Sequence, residues 1–161
     1  MAGSDLITVH LDDFEWLYGM ILGWAQFREA TRNGRYDSDN FKNPDRPQDR
    51  LGQSINGKCG ELAYCKWRGI YYEPRMNGFK GPDAESDVQI RALSEHWYKL
   101  PHKTRDNPNH RYLLMTGWAP VYVMRGWMPG IECRRDEFWD EAKGQWMVPQ
   151  QNLWSMETWE R

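Results

Sequence analysis

The pattern of apolar residues changes from strand-like to helical near the amino terminus. A short β-prone run, residues 7–11, precedes Asp12 and Glu15, whose spacing is typical of a helix amino-terminal cap. Apolar residues then recur at helical spacing: Phe14, Leu17, Ile21, Trp24 and Ala25. Asn33 followed by Gly34 favours a helix end. We therefore predict a helix that packs this apolar stripe against the core.

A polar connection, residues 35–53, separates this helix from a second one. Connections this long are usually functional or mobile. Ser54 is suited to cap the second helix, whose apolar stripe comprises Ile55, Cys59, Leu62, Ala63 and the stem of Lys66. Gly57 and Gly60 each cost about 1 kcal/mol of helix stability relative to Ala. We therefore expect them to permit a close approach to another element.

Short β-prone runs dominate the rest of the chain. They occupy residues 70–72, 87–93, 97–100, 111–116 and 121–127. Connections are predicted at 101–110 and 117–120, and residues 131–142 have a helix-like pattern. We expect an α/β (α+β) fold in a single domain, residues 1–161, in which helices flank a mixed, mainly antiparallel central sheet.

Composition narrows the functional classes. Ten Trp, eight Tyr and five Phe residues supply much of the expected core, and a net charge of -2 argues against an indiscriminate, strongly basic nucleic-acid coat protein.

Cys59, Cys65 and Cys133 are odd in number and lack a CxxC pair, so we expect buried thiols in a reducing cytoplasm. The sequence has no signal peptide and no long apolar run, which predicts a soluble cytoplasmic protein without membrane contact.

The candidate chemistry lies in Glu61 and in the strand that begins at Asp87. Side chains alternate along a strand, so Asp87, Gln89 and Arg91 share one face while the residues between them point into a core. With Glu61 brought across from its helix, two acids and a cation suit a divalent metal and a phosphate. The alternative is the solvated face of an edge strand, with Glu61 an ordinary surface glutamate.

Together these segments resemble the PD-(D/E)XK nuclease-like superfamily, and more narrowly small uncharacterised phage and prophage proteins of that type. The residues that carry the resemblance are Gly60-Glu61, Asp87, Gln89-Ile90-Arg91, the runs 111–116 and 121–127, Arg125-Gly126-Trp127 and Val148-Pro149-Gln150. The resemblance covers nearly the whole chain. It implies a restriction-endonuclease-like core and metal-dependent hydrolysis of phosphodiester bonds in DNA, by a phage-encoded protein in the bacterial cytoplasm.

The resemblance also implies roles for individual residues. Asp87 and Glu61 would ligate Mg²⁺ (or Mn²⁺), and Arg91 would lie near the scissile phosphate. Gln89 stands where the family has an acid, and Arg91 replaces a lysine; its guanidinium binds phosphate but cannot act as a general base. Asp83, which follows Pro82, is an alternative to Asp87 as the ligand. The site is therefore either an active nuclease site or an altered, silent one.

Basic residues and histidines cluster around one connection: Lys99, His102, Lys103, Arg105, His110 and Arg111. The predicted nucleic-acid contacts among them are Lys99, Lys103, Arg105 and Arg111; the alternative is a solvated loop. Lys66 and Lys99 are alternatives to Arg91 as the catalytic cation. Three functions remain: a metal-dependent DNA nuclease, a silent nuclease-like fold that binds nucleic acid, and a module that binds a host protein. The sequence leaves open whether the protein is a homodimer.

Overall fold

A computed structural model describes residues 6–33, 47–74 and 83–159 of the chain. Its strands are β1 (Ile7–His10), β2 (Val88–Leu93), β3 (Leu100–His102), β4 (Arg111–Trp118), β5 (Val121–Pro129), β6 (Trp139–Asp140) and β7 (Gln145–Val148). Its helices are α1 (Asp13–Arg32), α2 (Pro47–Arg68) and the short α3 (Gly130–Cys133). This mixture of helices and strands confirms the predicted α+β class.

The described strands form two sheets. The larger has the order β1-β5-β4-β2, in which β2 runs parallel to β4 and the other pairs are antiparallel. The smaller, β3-β7-β6, is antiparallel throughout. Mainly antiparallel pairing was predicted, but a separate second sheet was not, because the pairing of β3 with β7 joins segments far apart in sequence.

Helix α1 has the predicted boundaries but buries a different face. The Glu15 N–H donates to Asp12 Oδ1 at 2.8 Å, and the Asp12 N–H donates to Glu15 Oε2 at 2.7 Å, which completes the expected capping box. The buried residues are Gly19, Leu22, Gly23 and Ala30. The predicted core stripe is instead exposed: Phe14, Leu17, Ile21 and Trp24. The small residues of the inner face allow α2 to approach more closely than the large ones could.

Helix α2 begins earlier than predicted. Residues 47–53 are helical rather than part of a polar loop, and residues 35–46 lie outside the described residues. Pro47 occupies the first helical position, where its missing N–H costs nothing, and Ser54 is a buried helix residue rather than a cap. Gly60 makes the expected close approach, because a Cβ there would lie 2.5 Å from Ala92 Cβ, whereas Gly57 has no such neighbour within 4 Å.

Three local predictions after α2 are wrong. Residues 70–72 form no strand, and residues 97–99 precede β3 rather than belonging to it. Residues 131–142 do not form one helix; α3 is followed by a 3-10 turn, Asp136–Phe138, and by β6. Tertiary contacts override the local pattern here, since Trp139 pairs with Trp146 in the smaller sheet.

Alternation along β4 divides the buried apolar residues into two cores. Leu113 and Met115 belong to the core between the larger sheet and the helices, while Tyr112 and Leu114 belong to the core that contacts the smaller sheet. The three cysteines are free and buried, as expected. Among the described residues, no helix combines the length and apolar character needed to cross a membrane.

The glycine contact between α1 and α2 generates a stability prediction. A Cβ at Gly23 would lie 2.3 Å from Ile55 Cα, a backbone atom that cannot move aside cheaply. We expect Gly23→Ala to lower the free energy of unfolding by about 2 kcal/mol or more. Gly57→Ala is the matched control in a helix, and it should raise the free energy of unfolding by up to about 1 kcal/mol. Urea unfolding measures both, and equal stabilities would contradict the proposed contact.

Candidate active site

Two carboxylates influence each other electrostatically where α2 packs against β2. Among the described strands, β2 pairs only with β4, so its other edge offers unpaired backbone groups. Asp83 occupies that edge: its N–H donates to the Val88 carbonyl oxygen at 2.8 Å, and its Oδ2 accepts from the Ile90 N–H at 2.6 Å. The contact between Gly60 and Ala92 holds α2 beside the same strand. Glu61 of α2 is thereby brought into electrostatic contact with Asp83.

Glu61 lies in a buried, hydrogen-bonded environment. Lys58 Nζ donates to its two oxygens at 3.0 and 3.3 Å, and the Tyr72 hydroxyl donates to Oε2 at 2.5 Å. Only 12% of the Glu61 side chain is exposed, so it is not an ordinary surface glutamate. Burial is the largest cause that raises the pKa of Glu61 to about 7; Lys58 opposes the rise and Asp83 adds to it.

Asp83 links Glu61 to a second group of charges. Burial raises the pKa of the Asp83 carboxyl, and the positive charge of Arg91 is the main influence that lowers it. Arg91 Nη2 donates in turn to Asp106 Oδ2 at 2.8 Å. The charged side chains follow one another in the order Lys58, Glu61, Asp83, Arg91 and Asp106. Each neighbouring pair has charges of opposite sign, except Glu61 and Asp83.

Asp87, the first candidate ligand, lies in a different ion pair. Its two carboxylate oxygens accept from Arg111 Nε at 2.8 Å and from Nη2 at 3.0 Å. The hydrogen bond from Arg111 is the largest cause that lowers the pKa of Asp87. The Arg111 guanidinium also lies 4.4 Å from the Trp159 ring centroid. Of the two alternatives that the sequence left open, the carboxylate placed beside Glu61 is therefore Asp83.

The alternation predicted for β2 is present, but it separates its polar residues from Glu61. Val88 and Ile90 are buried on the side of the helices. Gln89 and Arg91 face the other way, where Gln89 Nε2 lies 3.3 Å from His110 Nδ1 and Arg91 lies over Tyr112 in the second core. Gln89 therefore points away from Glu61, and Arg91 approaches the acids only through Asp83 at the strand edge.

The predicted basic ridge is only partly assembled. Lys99 and Arg105 are exposed, and Lys103 is half-buried, with burial as the main cause that lowers its pKa. His102 is fully buried and is part of the interior. Arg111 is held by Asp87 rather than projecting as a free cation. The candidate phosphate contacts are therefore Lys99, Lys103 and Arg105.

Sequence reasoning missed two residues of the site, Lys58 and Tyr72. Lys58 stands three residues before Glu61, the spacing of a helical ion pair, so a signal for it was present in the sequence. Tyr72 had no such signal, because residues 70–72 read as a strand and the hydroxyl contact spans a segment without regular structure. Only the folded chain places its ring in the core and its hydroxyl against Glu61.

The resemblance implies a divalent metal, and the residues that could bind it here are the carboxylates of Glu61 and Asp83. Within the described residues, no group of three or more His, Cys, Asp or Glu side chains is placed to hold a metal ion. Glu61 and Asp83 nevertheless supply two hard oxygen donors, and the Asp83 charge raises the pKa of Glu61, a repulsion that a cation relieves. Mg²⁺ is commonly bound by one or two carboxylates with substrate phosphates and water. Two carboxylates are too few for a closed protein cage, so a metal held by this pair together with water and substrate phosphate stays a prediction.

Comparisons of the chain with models of known protein families, with curated proteins and with solved structures found no significant match. The resemblance to the PD-(D/E)XK superfamily therefore stays a prediction. Support for any function comes from the chemistry of the cluster formed by Lys58, Glu61, Tyr72, Asp83 and Arg91.

The raised pKa of Glu61 predicts a specific pH dependence of stability. Below the ordinary value of 4.5 the carboxyl is protonated in both states, whereas between 4.5 and about 7 the unfolded chain ionises first. The folded state binds the Glu61 proton more tightly than the unfolded chain does. The free energy of unfolding therefore falls by up to about 3 kcal/mol as pH rises through that window. Glu61→Gln should remove this loss, so the variant gains on the wild type between pH 5 and pH 8.

Urea unfolding across that pH range measures the difference between the two proteins. The exposed Glu73→Gln is the matched control and should follow the wild type closely. A wild-type-minus-variant difference that stays constant from pH 5 to pH 8 would show that the Glu61 carboxyl is not perturbed.

Proposed function

We propose that this protein is a metal-dependent nuclease that hydrolyses phosphodiester bonds in DNA, encoded by a phage and acting in the host cytoplasm, with the Glu61–Asp83 pair at its centre. The observation that carries the proposal is that Glu61 and Asp83, two largely buried carboxylates whose charges influence each other, each have a pKa raised mainly by burial. Like charges removed from water near each other are costly. Such pairs are characteristic of functional sites, where perturbed pKa values cluster.

Each residue of the cluster has a defined chemical role in this proposal. Glu61 and Asp83 would hold Mg²⁺ (or Mn²⁺), which when bound offsets phosphate charge and lowers the pKa of a bound water. A bound cation would lower the pKa of Glu61 from about 7 and hold the side chain as the carboxylate that ligates the metal. Lys58 orients Glu61 and supplies positive charge beside it. Arg91 stays protonated and acts on Asp83 by its charge alone.

A series of carboxylate-to-amide variants tests the centre. We expect Glu61→Gln and Asp83→Asn each to lower metal-dependent DNA cleavage at least about 100-fold, because each removes a negative oxygen donor without changing side-chain volume. Asp87→Asn is the matched control and should retain cleavage within a few fold, since its carboxylate binds Arg111. Labelled single- and double-stranded DNA, with RNA for comparison, is incubated with Mg²⁺, Mn²⁺ or EDTA.

The outcomes separate the two candidate ligands. Loss in Asp87→Asn with full activity in Asp83→Asn would return the ligand role to Asp87 and contradict the site described above. Absence of cleavage by the wild type with every metal would reject the nuclease proposal. Thermal unfolding of each variant distinguishes a lost catalytic group from a lost fold.

The exposed cations near β3 generate a second prediction. If Lys99 and Arg105 contact phosphates, replacing both by Ala should weaken DNA binding for all sequences and reduce the slope of log affinity against log salt by about 2. Binding is measured by fluorescence anisotropy at several salt concentrations. Lys143→Ala, in the turn between β6 and β7, removes an exposed cation elsewhere and should leave the slope unchanged.

A catalytically silent nuclease-like fold that binds nucleic acid is the second candidate function. Two observations favour it: Lys58 already neutralises Glu61, and Gln89, which stands where the family has an acid, faces His110 on the other side of the sheet. This function predicts DNA binding that persists in EDTA without cleavage. The anisotropy measurement in EDTA, taken together with the cleavage assay in Mg²⁺ and Mn²⁺, decides between the two.

A further inference from the structure

The outer face of α1 is an apolar surface with no partner among the described residues. Phe14, Leu17, Ile21 and Trp24 are 84, 54, 55 and 50% exposed. They lie opposite the glycine face, where Gly19 contacts α2. A helix that is apolar on both sides is normally buried on both sides. The described residues cover only the side that faces α2.

The size of this surface matches one half of a protein interface. Tyr18 and Met20, 38 and 40% exposed, flank the row and widen it. At about 200 Å² for a large apolar side chain, the six exposed fractions leave roughly 600–700 Å² in one patch. This exceeds the largest patch of a typical monomer and approaches the roughly 800 Å² that each partner contributes to a standard interface.

We infer that α1 pairs with α1 of a second copy of this chain, antiparallel, through this outer face. The spacing from Phe14 to Leu17, Ile21 and Trp24 alternates between three and four residues, the repeat of a helix seam that packs on another helix. Antiparallel pairing sets Phe14 against Trp24 of the second copy, and Leu17 against Ile21. The same four residues therefore complement themselves about a two-fold axis.

Charge at the ends of α1 selects the antiparallel arrangement of a second copy. Asp13 is exposed in the first turn, whereas Arg28 is exposed beyond the seam, 5.4 Å from the Trp24 ring centroid. Antiparallel pairing places Asp13 near Arg28 of the second copy and aligns the helix dipoles favourably. Parallel pairing would place like charges together. The inference is independent of the proposed nuclease function.

Sedimentation equilibrium of the full chain over a wide concentration range tests the surface. We expect a dimer whose dissociation constant rises at least about 100-fold in Ile21→Asp, because the charge would be buried in the seam. Ile131→Asp is the matched control, since Ile131 is 63% exposed on α3, and it should change the constant less than about threefold. Both positions are exposed in the single chain, so circular dichroism should show unchanged folding.

A charge exchange tests the antiparallel arrangement. Asp13→Arg and Arg28→Asp should each weaken the dimer about fivefold or more, and the double variant should recover affinity to within about twofold of the wild type. A wild type that stays monomeric at 100 µM overturns the inference, as does equal weakening by Ile21→Asp and Ile131→Asp. Failure of the double variant to recover overturns the antiparallel arrangement.

Discussion

The structure depends on the close contact that glycines give α2 on both of its sides. A Cβ at Gly19 or Gly23 of α1 would overlap atoms of α2, and a Cβ at Gly60 would overlap Ala92 of β2. The helix is therefore held between α1 and the edge of the larger sheet at a separation that larger residues forbid. This position carries Glu61 to the strand edge, where a helix at ordinary distance would leave it in solvent.

Burial at that edge sets the electrostatics of the candidate site. Charged side chains removed from water are stabilised by neighbours of opposite sign, and Lys58 with Glu61, and Arg91 with Asp106, follow this rule. The contact between Glu61 and Asp83 does not. A single pair of like charges, in a cluster whose other charges are all paired with opposite ones, is the pattern expected of a functional site.

The sequence of α1 predicts where the helix begins and ends, but not which of its faces is buried. Its length, cap and end followed from Asp12, Glu15 and Asn33, because capping is a local interaction. The buried face did not follow, because apolar periodicity predicts a core face of large residues, whereas packing against α2 requires small ones. The row that this packing leaves exposed is the surface from which we infer a second copy, a question that the sequence had left open.

The sequence alone determined what short-range interactions control: the α+β class, the cap of α1, the alternation in β2 and the presence of acids at 61, 83 and 87. Tertiary structure decided which of these acids meet. Asp87 binds Arg111, whereas Asp83 influences the pKa of Glu61 from the free edge of β2, to which its backbone and carboxylate bond. The helix that replaces residues 47–53 of the predicted loop, and the second sheet, were also decided there. The reason is that pairing between distant segments depends on the geometry of the folded chain, which local patterns of residues do not specify.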